Sequence, residues 1–240
     1  MSKMKKFLIT LFLVLVSSTI VLFVVLSPSN GENESNLNQI QQSTIIDLPE
    51  PRYDSEVSVE KTLLERRSIR KYSDVPLTLD EISQLLWAAQ GITDPKGYRT
   101  APSAGALYPL ELYVVAGNVD NLSEGVYRYK PKEHKLEMVL AGDKRQGLYG
   151  VSLQQSAVKN AAVVIVFAAD YDKTTVKYGD RGIRYVHIEV GHAAENSFLQ
   201  AVALDLSAVV IGAFYDEEMK EVLNMPEDEQ PLLILPVGKK

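Results

Sequence analysis

Basic side chains are concentrated in residues 65–72 (ERRSIRKY), where Arg66, Arg67 and Arg70 surround Ser68. A guanidinium group is planar, permanently charged and able to donate two parallel hydrogen bonds, so several of them together suit a phosphate group. The end of a helix whose arginines pair with nearby carboxylates would have the same composition. The segment alone therefore predicts either a phosphate site or a charged helix end.

A loop of small residues, 101–109 (APSAGALYP), runs directly into the apolar residues 110–116. Small side chains at Ala104 and Gly105 would let backbone amides approach a flat ring closely, and Tyr108 offers an aromatic edge. Taken alone, the loop is more typical of an ordinary turn than of a binding site.

The sequence lacks the motifs of several common functional classes. No G-x-G-x-x-G follows a strand and no G-x-x-x-x-G-K-[ST] occurs, which disfavours Rossmann dinucleotide sites and P-loops. No G-x-S-x-G elbow supports a hydrolase. The chain has no Cys, and His187 and His192 would lie about 140° apart around one helix at about 100° per residue. We therefore expect no metal site.

Capping and periodicity indicate the helices that must position these segments. Thr78 and Glu81 match a capping box that starts a helix, and the apolar face that follows ends at Gly91, which is expected to be a left-handed C-terminal stop. Two further helices are expected, at residues 183–204 and at residues 216–223 with Asp216 as the cap.

Short runs of strand-forming residues alternate with these helices. Strands are expected at residues 110–116, 125–130, 135–140, 161–169, 207–211 and 232–237. The run at 161–169 is continuously apolar rather than alternating, so it should be covered on both faces. The alternation of helices and strands predicts an α/β or α+β fold.

Residues 1–26 are expected to form a single-pass transmembrane anchor. A mostly apolar run of twenty residues at 7–26 follows Lys3, Lys5 and Lys6, and as a helix it would span about 30 Å, the thickness of a bilayer's hydrocarbon core. A signal peptide usually has a shorter apolar region and a small-x-small cleavage site, and no Ala occurs in the first 87 residues. The flanking lysines favour a domain outside the cytoplasm. Secretion after cleavage of a signal is the alternative.

Residues 27–54, rich in Asn, Gln, Ser and Glu near their start, predict a polar tether, so that the folded domain would occupy residues 55–240. Without the three leader lysines the chain has 22 basic and 31 acidic residues, a formal charge of −9. Nucleic-acid binding depends on basic surfaces, so no nucleic-acid partner is expected.

The order of these segments resembles the nitroreductase-like FMN family, whose motifs have the forms R-R-S-x-R and P-S-x-x-x-x-x-P before a strand. The version PSAGALYP resembles most closely the branch of SagB-type dehydrogenases, which is also similar to this chain at residues 177–185, 191–196 and 208–214. The resemblance runs from about residue 60 to residue 238. It implies an α+β (α/β-like) nitroreductase-like fold, with a central mixed, mostly antiparallel sheet flanked by helices, and an obligate homodimer with FMN at its interface.

Residue roles follow from the same resemblance. The cofactor-binding residues would be Arg66, Arg67, Ser68 and Arg70 at the ribityl phosphate end of FMN, Pro102, Ser103, Ala104 and Gly105 along the flavin, and Gly212, whose amide would face flavin N5. Lys177 and Tyr178 resemble the catalytic Lys-Tyr pair of azoline-oxidising members, which transfers protons and needs a pKa near the operating pH. A surface pair at a helix start is the alternative for these two residues.

Three features depart from the family pattern. Glu195 stands where the branch usually has Gln, and Asp205 stands where Gly commonly ends the helix. Many nitroreductases continue beyond the position of Lys240 and add basic residues to the phosphate site, so Lys239 and Lys240 are the basic residues that this sequence offers there.

The function implied by the resemblance is a ping-pong oxidoreductase. NAD(P)H or another donor would give hydride to flavin N5, and a small organic molecule would be the second substrate. Two alternatives stay open: a SagB-type dehydrogenase that oxidises azoline rings in a modified peptide, and a flavin-binding module without catalytic activity.

Overall fold

The computed structural model describes residues 45–240, and a seven-stranded sheet lies at their centre. The strands are β1 (Ile45–Asp47), β2 (Leu110–Ala116), β3 (Gly125–Lys130), β4 (Lys135–Ala141), β5 (Val163–Asp170), β6 (Leu206–Ala208) and β7 (Glu229–Lys239). Their spatial order is β1-β4-β3-β2-β5-β7-β6, and each pair of neighbours is antiparallel. The predicted α+β sheet is confirmed, and between these strands it is antiparallel throughout rather than mixed.

Helices cover both faces of this sheet. They are α1 (Val59–Glu65), α2 (Leu79–Gln90), α3 (Arg145–Val151), α4 (Ser156–Asn160), α5 (Asp172–Tyr178), α6 (Arg181–Ala203) and α7 (Asp216–Leu223), with a 3₁₀ turn at Ala104–Ala106. On one face, Leu85 of α2 and Val190 of α6 join the apolar core. On the other face, Leu148 of α3, Val158 of α4 and Met219 of α7 form a second core.

Strand β5 lies between these two cores. Ile165 and Phe167 belong to the first core, whereas Val164 and Val166 belong to the second, and all four are fully buried. Alternate side chains of a strand point to opposite faces of the sheet. The prediction that this continuous apolar run is covered on both faces is therefore confirmed.

Helix α2 begins as predicted but ends differently. The Glu81 amide donates to Thr78 Oγ1 at 3.2 Å and the Thr78 amide donates to Glu81 Oε2 at 2.9 Å, which completes the capping box. Gly91 is not left-handed: its φ of −61° and ψ of 144° are extended. A Cβ at Gly91 would lie 2.1 Å from Trp87 Cδ1, so glycine is needed there for close packing rather than for a positive φ.

The C-terminal elements also differ in detail from the predictions. Helix α7 has the predicted bounds, but its N-cap is Tyr215, and Asp216 is the first helical residue rather than the cap. Its carboxylate still lies in the first turn, where the helix dipole favours negative charge. Strand β6 is shorter than predicted, with only an isolated bridge from Ile211 to Ile234 beyond it.

A buried ionic network joins β2, β3 and β7. The Arg128 guanidinium pairs with Glu111 at 3.1 Å and also with Glu229, whose side chain is 5% exposed. Tyr113 Oη donates to Glu229 Oε2 at 2.6 Å. Burial raises the pKa of Glu229, against the opposing effects of Tyr113 and Arg128.

The N-terminal predictions fall mostly outside the structure. The anchor at residues 1–26 and the start of the tether lie outside the described residues. Within residues 45–240, no helix is long and apolar enough to cross a membrane. Strand β1 falls in the range assigned to the tether, yet Ile46 pairs with Leu136 and packs against the first core. The sheet therefore begins before residue 55.

Candidate functional site

The loop before β2 meets the C-terminal end of α5. Gly105 has φ +64°, and a Cβ on it would lie 2.7 Å from Tyr178 Oη and 2.8 Å from Lys177 Nζ. Any other residue would have a strained backbone here and would displace the ends of these two side chains. The structure thus brings together one of the predicted flavin-contacting residues and both predicted catalytic residues.

Lys177 and Tyr178 form a contiguous polar pair at this place. Lys177 is exposed and its Nζ lies 5.4 Å from the centroid of the half-buried Tyr178 ring. That ring packs edge-on against Tyr185 of α6, with 5.1 Å between the centroids. A Cβ at Gly182 would lie 2.9 Å from the backbone of Thr175, so α5 and α6 approach closely at their junction. The junction fixes the phenol while the ammonium group stays accessible.

The loop itself has an unusual backbone that its surroundings hold in place. Ala106 and Tyr108 have φ values of +54° and +49°, in the left-handed region that such residues seldom adopt. The Tyr108 amide donates to Ser103 Oγ at 2.9 Å, and the Arg99 amide donates to Tyr108 Oη at 3.2 Å. The Arg99 guanidinium also stacks 4.5 Å from the Tyr108 ring centroid. Sparsely populated conformations are retained where neighbouring contacts enforce them, often at functional sites.

The three predicted phosphate-binding arginines point in different directions. The Arg66 guanidinium lies 4.9 Å from the Phe198 ring centroid and 3.6 Å from Glu195 Oε1. Arg67 turns back to α1 and donates to the carbonyls of Leu64 and Arg66 at 3.0 and 2.7 Å. For Arg67 this is the geometry of a charged helix end. The family-atypical Glu195 is the partner of Arg66.

Residues 66–70 lie along β6, because the Ile69 amide donates to the Ala208 carbonyl at 2.9 Å. Ser68 is exposed, and its carbonyl accepts a long hydrogen bond of 3.5 Å from Arg70 Nη1. Just beyond, Tyr72 packs on Gly238 of β7, where a Cβ would lie 2.8 Å from the Tyr72 side chain. The basic segment is thus anchored at the sheet edge through Ile69 and Tyr72.

Arg70 lines a cleft of about 870 Å³ on the side of the sheet that α3 and α4 cover. Three further cations line it, Lys71, Arg145 and Lys159, of which Arg145 is paired with Asp143 at 2.8 Å. Lys71 directly follows Arg70 in the basic segment, whereas Arg145 and Lys159 come from other parts of the chain and were not predicted. A basic cleft in an acidic protein favours an anionic ligand.

Gly212 borders the same region. It is exposed, and the space where a Cβ would stand is empty to 4 Å. The neighbouring Ala213 carbonyl accepts a hydrogen bond from Gln155 Nε2 at 3.0 Å, and the next residue, Ser156, lines the basic cleft. The exposed Gly212 therefore lies close to the part of the chain that lines this cleft.

A buried carboxyl group below the loop was also missed. Glu189 of α6 is 2% exposed, and burial raises its pKa to about 7, against the effects of a hydrogen bond with Ser103 and the charge of Arg99. A signal was present in the sequence, because Glu189 shares its helix face with the apolar residues Val186 and Ala193.

The remaining family departures have local explanations. Asp205 has φ +58°, the left-handed conformation for which glycine is the usual residue at the end of a helix. Lys240 pairs with Asp205, and Lys239 pairs with Glu81. Both terminal lysines are therefore engaged with carboxylates. In residues 45–240, no group of three or more His, Asp or Glu side chains could hold a metal ion.

Residues 63–239 match the family model described as the Nitroreductase family. A Methanocaldococcus jannaschii protein named as a nitroreductase is 48% identical over 185 residues, which are 77% of this chain and 92% of that protein. The microcin B17-processing protein McbC of Escherichia coli is 30% identical over 160 residues, or 63% of this chain. The chain spans 58% of the length of McbC.

Solved structures share the architecture. A Ralstonia eutropha structure described as a nitroreductase has a TM-score of 0.73 and 32% identity, with 81% of this chain and 89% of that chain covered. The NADPH:FMN oxidoreductase from Vibrio harveyi, solved with NAD+, has a TM-score of 0.55 and 23% identity, with 75% and 68% covered. The family model matches most of the chain, and strands β2 to β7, the strained loop and the glycine contact lie within the matched residues. The chain belongs to the nitroreductase family of flavin-dependent oxidoreductases.

Proposed function

We propose that the protein is an FMN-dependent oxidoreductase that passes hydride through flavin N5, to or from a small organic substrate, with NAD(P)H as the electron donor. The contact of Gly105 with Lys177 and Tyr178 is the observation that carries this proposal. The family resemblance assigns flavin contact to the first segment and proton transfer to the second. These two segments meet at Gly105, so flavin contact and proton transfer could take place at one site.

Residues at both ends of β2 have the chemistry that FMN needs: the loop at residues 101–109 precedes this strand, and the cleft that Arg70 lines lies after it. Ala104 and Gly105 present backbone with little side chain, which suits the face of a planar ring. Gly212 is exposed and has no side chain, so a flavin ring could approach its backbone, and its amide would donate to a ring nitrogen. Arg70 faces a cleft rich in cations, which suits a phosphate group. The name of the Vibrio harveyi relative, an NADPH:FMN oxidoreductase, supports the same cofactor.

Each group has a defined task in the proposed reaction. FMN, when bound, supplies hydride transfer at N5. Arg70, Arg66 and Ser68 would hold the phosphate end of the cofactor, and the Gly212 amide would donate a hydrogen bond to its ring. Lys177 Nζ and Tyr178 Oη would hold or accept the proton that accompanies hydride transfer at the substrate. Arg67 would support the segment through its bonds to the end of α1.

Reconstitution tests the cofactor assignment. The purified full-length chain with excess FMN should retain flavin absorbance after desalting. FMN at 100 times its Kd should also stabilise the fold by about 2.7 kcal/mol, or roughly 5–10 °C in Tm for a domain of this size. A chain that retains no flavin and shows no thermal shift would overturn the proposal.

Paired variants show whether the basic segment holds FMN. Replacing Arg66 and Arg70 together by Ala should weaken FMN binding by at least 100-fold, because two charge-assisted contacts are lost. Replacing Lys96 and Lys132 together by Ala is the matched control, since both are exposed cations outside the basic segment. Equal FMN affinity in the two double variants would exclude the proposed role of the arginines.

Bound FMN then allows the catalytic claim to be tested. Steady-state rates with NAD(P)H and a nitroarene should give the parallel double-reciprocal lines of a ping-pong mechanism. Bound FMN that no nicotinamide or chemical donor reduces would instead support a flavin-binding module without catalytic activity.

Oxidation of azoline rings in a modified peptide is the second candidate function, and the position of the Lys177–Tyr178 pair favours it. Aromatisation of an azoline removes a hydride and a proton from the ring, and a base beside the hydride acceptor must take the proton. The similarity to the microcin B17-processing protein supports the same reading. Lys177→Met and Tyr178→Phe should abolish azoline oxidation and leave nitroarene reduction by NAD(P)H largely intact.

A homodimer is part of the proposal. Large apolar side chains are exposed on α1 and α6, which pack side by side, and these include Val59, Leu63, Leu64, Ile183 and Ile188. Exposed apolar side chains on a surface are typical of protein interfaces when they gather there. Analytical ultracentrifugation should give twice the chain mass, and a monomer that still binds FMN would contradict this part of the proposal.

Membrane anchoring through residues 1–26, with the domain outside the cytoplasm, stays a proposal based on the sequence. A periplasmic or extracellular reporter fused after Lys240 should be active, whereas a cytoplasmic reporter fused there should not. Release of the chain by alkaline carbonate extraction would argue against an uncleaved anchor and favour secretion after signal cleavage.

A further inference from the structure

A buried polar cluster lies directly beneath the loop at residues 101–109. It contains Glu189 of α6, Ser103 of the loop, and Gln90 and Arg99 from the end of α2 and the segment after it. Glu189 and Gln90 are buried, and Ser103 is half-buried. Polar groups in such a position are normally fully hydrogen-bonded.

This cluster is incompletely satisfied. Glu189 Oε1, Gln90 Nε2 and Arg99 Nε have no hydrogen-bond partner in the described part of the chain. Arg99 Nη1 donates to Gln90 Oε1 at 2.7 Å, and its guanidinium face is occupied by the Tyr108 ring. Arg99 therefore does not neutralise Glu189 through direct contact.

Hydrogen-bond direction at Ser103 depends on the ionisation of Glu189. Ser103 Oγ accepts from the Tyr108 amide at 2.9 Å, and the Glu189 carboxyl lies within hydrogen-bonding reach of it. An ionised carboxylate only accepts, so the Ser103 hydroxyl hydrogen must point inward to Glu189. A neutral carboxyl group can donate to Ser103 Oγ, which frees the hydroxyl hydrogen to point outward.

We propose that Glu189 is a positioning residue of the flavin site that acts through Ser103. When Glu189 is neutral, the Ser103 hydroxyl can donate a hydrogen bond to an acceptor atom of FMN. When Glu189 is ionised, the same hydroxyl donates to Glu189 and is no longer available to FMN. The inference rests on the proposed function, because it requires FMN to lie along residues 102–105. It adds an internal proton-binding group that the family resemblance did not assign.

The surroundings of Glu189 allow this change of state near neutral pH. Burial raises its pKa to about 7, against the hydrogen bond with Ser103 and the positive charge of Arg99. The Arg99 guanidinium also interacts with the Glu111 carboxylate. The Ser103 hydroxyl and the Arg99 charge are the groups that face Glu189 from the elements packed against it.

The test is the pH dependence of FMN affinity for the full-length chain, followed by quenching of FMN fluorescence from pH 6 to pH 9. For the wild type, Kd should rise about fivefold over this range, the effect of losing one hydrogen bond. Glu189→Gln should bind FMN with an affinity that changes less than twofold, because the amide can donate to Ser103 Oγ at every pH. Glu124→Gln, an exposed acid in the β2–β3 turn, should keep the wild-type profile.

A second variant makes the result independent of how well Glu189→Gln folds. Ser103→Ala should flatten the profile although Glu189 is intact, and the double variant should behave as Ser103→Ala alone. A purely structural role for Glu189 would lower affinity at all pH values and leave the slope unchanged. Equal slopes in the wild type and both single variants would overturn this inference alone. Absence of FMN binding in the wild type would overturn the proposed function.

Discussion

Replacing Glu189 by Gln should make the stability of the protein less dependent on pH, whether or not FMN is bound. Its pKa is raised from the ordinary 4.5 to about 7 by burial. At about 1.4 kcal/mol per pKa unit, this corresponds to about 3 kcal/mol of destabilisation once the group is ionised in the folded state.

The sign follows from proton binding. Between pH 4.5 and pH 7 the folded protein retains a proton on Glu189 that the unfolded chain has lost. The proton on Glu189 therefore makes its full contribution to the free energy of unfolding below about pH 4.5, and this contribution is lost as the pH rises through about 7. Gln does not titrate, so the stability of Glu189→Gln relative to the wild type should increase with pH.

Denaturant unfolding of both proteins at several pH values measures this effect. The difference in the free energy of unfolding, variant minus wild type, should increase by about 3 kcal/mol between pH 4.5 and pH 9. In thermal melts this amounts to roughly 6–12 °C for a domain of this size. Glu124→Gln carries the same chemical change at an exposed site and should show no such trend. A constant difference across the range would refute the assignment of Glu189 as a buried, titrating acid.

Three further changes address other parts of the fold. Arg128→Ala should cost about 3–5 kcal/mol in unfolding free energy, because Glu229 would be left as a buried, unpaired charge; a loss below about 1 kcal/mol would show that the pair is not buried in solution. Gly238→Ala should lower the unfolding free energy by about 1–3 kcal/mol, because the new methyl group would collide with Tyr72. Gly150→Ala, whose methyl group would stand in open space, should instead stabilise α3 by about 0.5–1 kcal/mol. Denaturation curves that shift equally in the two variants would contradict this contrast. Thr78→Ala should cost about 1 kcal/mol through loss of the capping box, with amide exchange in the first turn of α2 as the more local readout.

Local signals were enough to predict many elements. Strand β2 has the predicted bounds, and the start of α2 follows from the reciprocal bonds of Thr78 and Glu81. The continuous apolar run of β5 correctly indicated two covered faces. These features depend on neighbours in the sequence or on a simple period, which a single sequence displays directly.

Other features depend on contacts between distant segments and were therefore missed or misread. Strand β1 has three residues after a polar run, and its pairing with β4 decides its conformation. The positive φ of Ala106 and Tyr108 cannot be read from residues that rarely adopt it. The glycine preference at Gly91 was recognised, but its cause is the side chain of Trp87 and not the backbone.

The candidate site was likewise predicted only in part from the sequence. Its motifs identified the loop and the Lys177–Tyr178 pair, but only the folded chain shows that both meet at Gly105. The basic cleft arises from packing between distant segments, whereas the burial of Glu189 was signalled only by its place on the apolar face of α6.

The pairing of β1 with β4 has a practical consequence for shortened forms of the protein. Strand β4 is seven residues long, and β1 covers three of them at the outer edge of the sheet. An uncovered edge strand offers free amide and carbonyl groups to another molecule. A chain that starts at residue 55 would expose this edge and should self-associate during expression. A chain that starts before Ile45 keeps the edge covered. Light scattering of the two chains at equal concentration would distinguish them.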